Sequence, residues 1–316
     1  MAEINSRKAA IIGCGFVGSA SAFALMESSL FSEIVLIDAD KNRAEGEALD
    51  ISHGLPFSKP MQIYAGNYED ISDASVVIIT AGAGQKPGET RLDLVKKNTA
   101  IFKTIIPQIT QYNKDGILLV VANPVDILTY VAKKISGFPD NRVFGSGTVL
   151  DTARLKYLLG KRLAVDSRSI HAFIIGEHGD SEIAAWSSAN VSGIPLHNFC
   201  EMRGHFEHEK AMIKIAEDVK NSAYEIIEKK KATYYGIAMS VKRICEAIVR
   251  DEKSILPVSS IQNTDEIHDV ALSMPVIVGK YGVEGAVPIE LDDNEKAALK
   301  KSADTLKAIL DDVLEN

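Results

Sequence analysis

Three short stretches concentrate side chains that could do chemistry. The first is Ile174-Ile175-Gly176-Glu177-His178-Gly179-Asp180, a histidine set among glycines and acids at the end of an apolar run. An imidazole titrates near neutrality and suits proton exchange with a hydroxyl or carbonyl oxygen. A histidine between glycines is at least as often a plain turn residue. The second stretch is Asp151-Thr152-Ala153-Arg154. At a helix start, i, i+3 spacing puts both end residues on one face. There an aspartate can fix an imidazole tautomer, and an arginine offers a planar fork to a carboxylate. The same spacing describes a helix cap with an intrahelical ion pair, and spacing alone favours that plainer reading. The third stretch is Gly13-Cys14-Gly15-Phe16-Val17-Gly18, a G-x-G-x-x-G.

The elements around the glycines give them meaning. They follow the apolar run Ala9 to Ile12 and open a helical stretch, Gly18 to Ser28, while a second apolar run ends in Asp38. In that setting the first glycine permits a tight turn and the second lets the backbone approach a pyrophosphate. The third brings helix and strand together, with the helix N-terminus aimed at the phosphates. The alternative is a tight turn without a ligand. A carboxylate at Asp38 can accept from ribose hydroxyls and would repel a 2′-phosphate, so NAD is expected over NADP. Arg43 blurs the choice, since an arginine can accommodate that phosphate. The pattern G-x-x-x-x-G-K-[ST] is absent, which argues against a nucleotide triphosphatase.

Apolar runs alternate with amphipathic stretches through the first half: Ile34 to Ile37, a helix around Ala44 to Ser52, Val76 to Thr80, a helix from Leu92 to Tyr112, then Ile117 to Val121. Continuous apolar strands with crossover helices imply a doubly wound parallel sheet, an α/β fold. Asn123, in Val121-Ala122-Asn123-Pro124-Val125-Asp126, sits where the carboxyl end of a strand would face the ligand crevice. The second half predicts helices over Val149–Gly160 and Glu209–Ala247. Ile255–Val258 and Pro275–Gly279 read as meander strands, with Pro257 and Pro275 confined to edges or ends. The last helix carries Leu299, Ala303, Leu306, Leu310 and Val313 on one face. The expected division is 1–146 for a dinucleotide-binding domain and 147–316 for an α+β substrate domain, closely packed because no flexible linker separates them.

Bulk composition narrows the class. The chain has 316 residues, 46% apolar and 25% charged, with a net charge of −8, ordinary values for a globular protein. No basic patch suggests nucleic acid. Cys14, Cys200 and Cys245 make neither a disulfide framework nor metal-ligand spacing, so no metal is expected. Free thiols, the lack of an apolar leader and the lack of a membrane-length apolar run lead to the expectation of a cytoplasmic protein away from membranes.

GCGFVG, ITAGAGQKPGETRLDLV, VANPVDILTY, GSGTVLDTAR, IIGEHGD and ATYYGIA together resemble the L-lactate and malate dehydrogenase family, over nearly the full chain. The resemblance implies an N-terminal Rossmann domain, NAD as cofactor, and hydride transfer between NADH and a 2-oxo acid. His178 is similar to the family's proton donor and acceptor, Asp151 to its partner, Arg154 to the residue that grips the substrate carboxylate. Arg91, at the end of the glycine-rich loop, matches the group that polarises the ketone under a closing lid. Val17, Asp38, Arg43, Tyr68, Gly82, Ala83, Val121, Asn123 and Ser146 match positions lining the cofactor, and Asn123 also lies near the substrate.

Gln85 and Thr233 point to the substrate. Malate dehydrogenases resemble this chain but carry arginine where Gln85 stands, and a neutral amide gives a second carboxylate no counter-ion. Thr233 is similar to a residue that narrows the pocket. Pyruvate and L-lactate are therefore expected, ahead of malate or a bulkier 2-hydroxy acid. A non-catalytic NAD-binding protein would tolerate loss of His178, Asp151, Arg154 or Arg91, and all four are present. Family resemblance also implies a homotetramer. Many bacterial members answer to fructose 1,6-bisphosphate through an arginine and a histidine. His171 matches the histidine, but Lys156 replaces the arginine and loses its planar fork. The alternative for His171 is an ordinary strand residue at an interface.

Overall fold

A computed structural model of the chain describes residues 4–84 and 88–314, with the side chains of Arg91 and Leu314 left aside. The first half runs β1 (Asn5–Ile12), α1 (Phe16–Ser28), β2 (Glu33–Ile37), α2 (Lys41–Ser52), β3 (Gln62–Ala65), β4 (Ala74–Ile79), α3 (Arg91–Tyr112), β5 (Ile117–Val120), α4 (Val125–Ser136) and β6 (Val143–Gly145). The second half continues with α5 (Val149–Leu163), β7 (Ile170–His171), β8 (Ile174–Ile175), β9 (Ile183–Ala184), β10 (Asn190–Val191), β11 (Ile194–Pro195) and α6 (Leu196–Met202). It closes with α7 (His208–Lys230), α8 (Tyr235–Val249), β12 (Ser254–Asn263), β13 (His268–Gly279), β14 (Gly282–Ala286) and α9 (Asp293–Leu314).

Strands β6-β5-β4-β1-β2-β3 form a parallel doubly wound sheet, the arrangement expected from the alternating runs. Ala9–Ile12, Ile34–Ile37, Val76–Ile79 and Ile117–Val120 within them are apolar without alternation and buried throughout, because both faces are covered. Ala10 and Ile12 pack with α3, α4 and α9, whereas Ala9 and Ile11 pack with α1, α2 and α8. Strands β3 and β6 are additions that the apolar runs did not announce.

The sheet does not stop at the end of the first half. Antiparallel strands β12, β13 and β14 extend it past β6, giving nine strands among the described residues. Helices α8 and α9 then cover its two faces, so the second half finishes the cores of the first. The expected stripe of α9, Leu299 to Val313, is buried throughout, each leucine contributing about 2 kcal/mol relative to exposure. A separate core joins Leu155, Leu159 and Leu163 of α5 to Ile170, Leu196 and Val219. No helix among the described residues is long and apolar enough to cross a membrane.

Two expectations about the second half need correction. The helical pattern from Glu209 to Ala247 is two helices, because Lys231 takes a left-handed backbone (φ 71°) and ends α7. Pro257 and Pro275 lie within β12 and β13, directly opposite each other, rather than at edges or ends. The pleat explains their tolerance. The Pro275 carbonyl accepts from the Val287 N–H (3.0 Å) and the Pro257 carbonyl from the Thr148 N–H (3.2 Å). Both carbonyls thus face away from the shared ladder. Each missing N–H would lie on the same side as its own carbonyl, so the β12–β13 ladder loses no hydrogen bond.

The joint between β6 and α5 is tight. A Cβ on Gly147 would lie 2.4 Å from the Ser259 nitrogen and 2.5 Å from Ser273 Oγ, and its φ is +50°. Overpacking and a left-handed conformation both act against any side chain there. Gly147→Ala should lower unfolding stability by roughly 3 kcal/mol, read from urea midpoints. Gly137→Ala is the control, with φ +67° but open space around its Cβ, and should cost only about 1 kcal/mol. Equal midpoints for the two variants would contradict the close approach of β12 and β13 to this joint.

Candidate active site

The glycine turn between β1 and α1 carries out three separate jobs. A Cβ on Gly13 (φ +102°) would sit 2.5 Å from the Ala81 nitrogen, and one on Gly18 would sit 1.9 Å from the Gly13 carbonyl oxygen. These two glycines are required by the protein's own packing. A Cβ on Gly15 would meet no atom within 4 Å. Its bareness leaves room for something outside the chain. Gly15 caps α1 without a side-chain hydrogen bond, so the first-turn N–H groups of Phe16, Val17 and Gly18 stand ready for an anion.

A cavity of about 620 Å³ opens beside this turn, lined by Gly13, Gly15, Asp38, Arg43, Tyr68, Gly82 and Ala83 among the expected cofactor residues. Phe16, Val17, Gly18, Val121, Asn123 and Ser146 are outside that lining. Val121 and Ser146 are buried where β5 and β6 end, the Ser146 N–H on the Val120 carbonyl (2.8 Å). Asp38 accepts from the Cys14 N–H (2.6 Å) and the Asp40 N–H (2.9 Å). A carboxylate offers about four acceptor positions, so hydroxyl groups can still be received. Bare Gly15, free helix amides and Asp38 together fit a dinucleotide.

The second centre lies where α5 meets the turn after β8. His178 Nδ1 is 2.6 Å from Asp151 Oδ2, and Arg154 Nη1 is 2.7 Å from Asp151 Oδ1. The i, i+3 ion pair is thus real, and the same aspartate also holds the histidine, although Thr148 rather than Asp151 is the helix cap. Among the described residues Asp151 is Arg154's one hydrogen-bonded partner, which leaves the rest of its fork for another carboxylate. Burial opposes the charge on Asp151, but His178 and Arg154 outweigh it and hold the carboxyl below its usual range. Burial likewise opposes the imidazolium, yet Asp151 and then Asp126 and Glu182 raise His178 to about 9. The ring keeps 25% of its surface exposed, so solvent still reaches it and desolvation is only partial.

Four elements fix the turn that carries His178. Gly176 exchanges backbone hydrogen bonds with Ser273 of β13, both at 2.9 Å. The Glu177 N–H donates to Ser302 Oγ of α9 (2.9 Å), and the His178 N–H donates to Asp126 Oδ2 of α4 (2.8 Å). Asp151 on α5 completes the set. Asp126 also accepts from Ser259 Oγ (2.6 Å). Burial pushes its carboxyl up to about 6, short of neutral at pH 7, because both hydrogen bonds favour the charged form.

Two positioning residues were not singled out in the sequence. Asp126 was visible inside VANPVD, but no spacing rule pairs it with a histidine 52 positions later. Buried Asn98 on α3 accepts from the Ala83 N–H (2.8 Å) and donates to the Asn123 carbonyl (2.7 Å). It ties the start of the glycine-rich loop to the end of β5. An asparagine on the largely apolar buried face of an amphipathic helix was the available signal.

Thr233 lies in the turn between α7 and α8. Its neighbour Tyr234 stacks on Phe16 at 5.4 Å between centroids, bringing this segment against the glycine turn. Arg91 is the first residue of α3, capped by Thr90 and Asp93, but its side chain and all of Gln85 lie outside the described residues. Lys156 is half-buried on α5, its ammonium lowered by that burial, while His171 is exposed on β7. One ring nitrogen of His178 and one carboxylate oxygen each of Asp151 and Glu182 lie within 4.8 Å of one another. Because Asp151 already bonds Nδ1, this cluster reads first as an ionisable network rather than as a cation site.

Comparison with known proteins covers both halves. Residues 7–145 match the family model for the lactate/malate dehydrogenase NAD binding domain, and residues 148–316 match the lactate/malate dehydrogenase alpha/beta C-terminal domain. The chain is 55% identical to an L-lactate dehydrogenase of Acetivibrio thermocellus, over 96% of each chain. It is 53% identical to L-lactate dehydrogenase 1 of Clostridium acetobutylicum, over 98% of this chain and 99% of the relative. A crystal structure of the minor L-lactate dehydrogenase from Enterococcus mundtii in a ligands-bound form superposes with a TM-score of 0.94 at 45% identity, covering 98% of this chain and 99% of that one.

Ligand binding and folding should separate at Gly15, whose surroundings are open. Gly15→Ala should leave the ligand-free unfolding midpoint within about 0.5 kcal/mol of the parent while weakening NADH binding at least about tenfold. Calorimetric titration with NADH and a urea curve read the two effects. Wild-type affinity in the variant would show that the open space at Gly15 is not where the dinucleotide comes closest.

Proposed function

The chain belongs to the lactate/malate dehydrogenase family, and from that premise we propose that it is an NAD-dependent L-lactate dehydrogenase, interconverting pyruvate and L-lactate. The observation that carries the proposal is the single buried carboxylate of Asp151 holding His178 on one oxygen and Arg154 on the other. That arrangement sets a proton donor beside a carboxylate clamp.

NADH supplies the hydride when bound. The first-turn amides of Phe16, Val17 and Gly18 suit its pyrophosphate and Asp38 its ribose. Arg43, Tyr68, Gly82 and Ala83 line the cavity beside them, and Val121, Asn123 and Ser146, at or just beyond the ends of β5 and β6, would meet the rest of the cofactor. Arg154 receives the pyruvate carboxylate on the free part of its fork, the bidentate geometry that a lysine cannot reproduce. Since Asp151 occupies Nδ1, His178 presents Nε2 to the substrate and gives its proton to the ketone oxygen. Asp151 keeps the ring in that orientation and stabilises its charged form. Arg91 polarises the ketone oxygen under the closed loop. Gln85 and Thr233 set the substrate's size and charge.

The coarser architecture fits the same reading. Residues 1–146 serve the cofactor and residues 147–316 the substrate, in a cytoplasmic homotetramer. Lys156 and His171 form a reduced version of a fructose 1,6-bisphosphate site. A half-buried lysine gives such a site charge without a fork, and activation should be weak. Oxidation of NADH with pyruvate, oxaloacetate and 2-oxoisocaproate, each with and without the bisphosphate, tests these assignments together.

Gln85→Arg should move the kcat/KM ratio from pyruvate toward oxaloacetate by roughly three orders of magnitude, the equivalent of about 4 kcal/mol for pairing an otherwise stranded carboxylate. An unchanged ratio would sink the specificity argument. The pH dependence follows from His178. Reduction needs the protonated imidazole, so kcat/KM for pyruvate should be level through neutrality and fall as pH rises through about 9. Lactate oxidation needs the neutral ring and should rise over the same interval. A reduction limb centred near the ordinary histidine value of 6.5 would mean that Asp151 does not hold the proton in place.

A further inference from the structure

Glu182 is a carboxyl beside the reacting histidine that the reading above leaves unused. It follows the His178 turn and immediately precedes β9, which pairs antiparallel with β8. Its Oε1 is buried and makes no hydrogen bond. One of its oxygens lies within 4.8 Å of both the His178 ring and the Asp151 carboxylate. On its other side it lines a cavity of about 270 Å³ with Trp186, Ile213, Glu217 and Lys220.

We propose that Glu182 is a positioning residue for proton transfer at His178, placing a second carboxyl beside Asp151 within a few ångströms of the imidazole and so setting how tightly the ring holds its proton. The proposal rests on His178 being the proton donor, as argued above.

The contrast between the two carboxyls supports it. Asp151 is fixed as an anion by two direct hydrogen bonds from cationic partners. Glu182 has no such partner on Oε1, and a buried oxygen left unpaired disfavours the charged form. Burial and the neighbouring Asp151 push its carboxyl up to about 8. The charges facing it are known. Asp151 and Arg154 come from α5, His178 from its own loop, and Lys220 with Glu217 from α7. Lys220 gives a hydrogen bond to the Asp180 carbonyl (2.6 Å), which holds its ammonium near this group. Asp126 reaches the histidine loop from α4. His178 and Glu182 change charge in the same alkaline range, and at this separation they titrate as a pair.

The sign follows directly. At alkaline pH Glu182 is ionised and its charge favours the imidazolium. Removing that charge must loosen the proton on His178. Glu182→Gln, nearly isosteric and neutral, should shift the alkaline limb of kcat/KM for pyruvate down by about one pH unit. The rising limb of lactate oxidation should move equally, and NADH affinity should stay unchanged. Glu182→Asp, which keeps the charge, should leave the limb closer to the parent position than Gln does.

Titration of the His178 ring in the ligand-free protein, by NMR with isotope-labelled histidine, gives the same answer if the Gln variant turns over too slowly to assay. A limb or ring titration in Glu182→Gln within about 0.3 unit of the parent would overturn the proposal, since a structural role alone would lower rate without moving the limb. Failure of the underlying reading looks different. In that case the parent protein itself would show no pyruvate turnover, or no alkaline limb.

Discussion

One ionised carboxylate in a nearly dry place governs the candidate site. Asp151 is buried, and burial by itself pushes its carboxyl toward the neutral form. A neutral Asp151 would neither orient His178 nor favour its charged form. Arg154 and His178 prevent this only because each gives a hydrogen bond at or below 2.7 Å to a separate oxygen. The carboxylate needs both cations, while the histidine and arginine need the carboxylate to hold their positions. Such a triad is stable only if the backbone brings all three together without adjustment, and the remaining architecture can be understood as meeting that demand.

Helix α5 meets half of it locally, since Asp151 and Arg154 are one turn apart. His178 arrives from a turn between two very short strands, which would not hold a side chain by themselves. Tethers from β13, α9 and α4 supply the rigidity. All three tethers are hydrogen bonds from backbone N–H groups that could not be left unpaired at such depth. Satisfying the backbone of the turn and orienting the histidine are therefore the same event. Continuity of the sheet across β6 and β12 matters for a related reason. It puts the glycine turn after β1 and the β13 tether of the His178 turn in one continuous sheet, as the proposed delivery of a hydride and a proton to the same small molecule requires.

Most of the parallel sheet was legible because its signal is local. Unbroken apolar runs separated by amphipathic stretches have few other solutions, and G-x-G-x-x-G followed by an acid has fewer still. Pro257 and Pro275 were misplaced because a proline's cost depends on which side of a strand its missing N–H would face, and that is decided by neighbours distant in sequence. The break at Lys231 was hidden for another reason: a single left-handed residue leaves no mark on hydrophobic periodicity. At the site, Asp126 and Glu182 were in plain view next to quoted motifs, yet their chemistry depends on burial and on partners from other elements.

Residue types and order by themselves were enough for the α/β class and for the expectations of NAD through Asp38 and of the set His178, Asp151, Arg154, because each rests on short-range geometry or on several motifs agreeing in order. Only the tertiary structure decided that one aspartate holds both His178 and Arg154, that a Cβ at Gly15 would meet open space whereas one at Gly13 or Gly18 would strike the chain itself, and which carboxyls lie within reach of the imidazole. Those outcomes are set by desolvation and by distances of a few ångströms between residues far apart in the chain, and such distances exist only once the cores have packed.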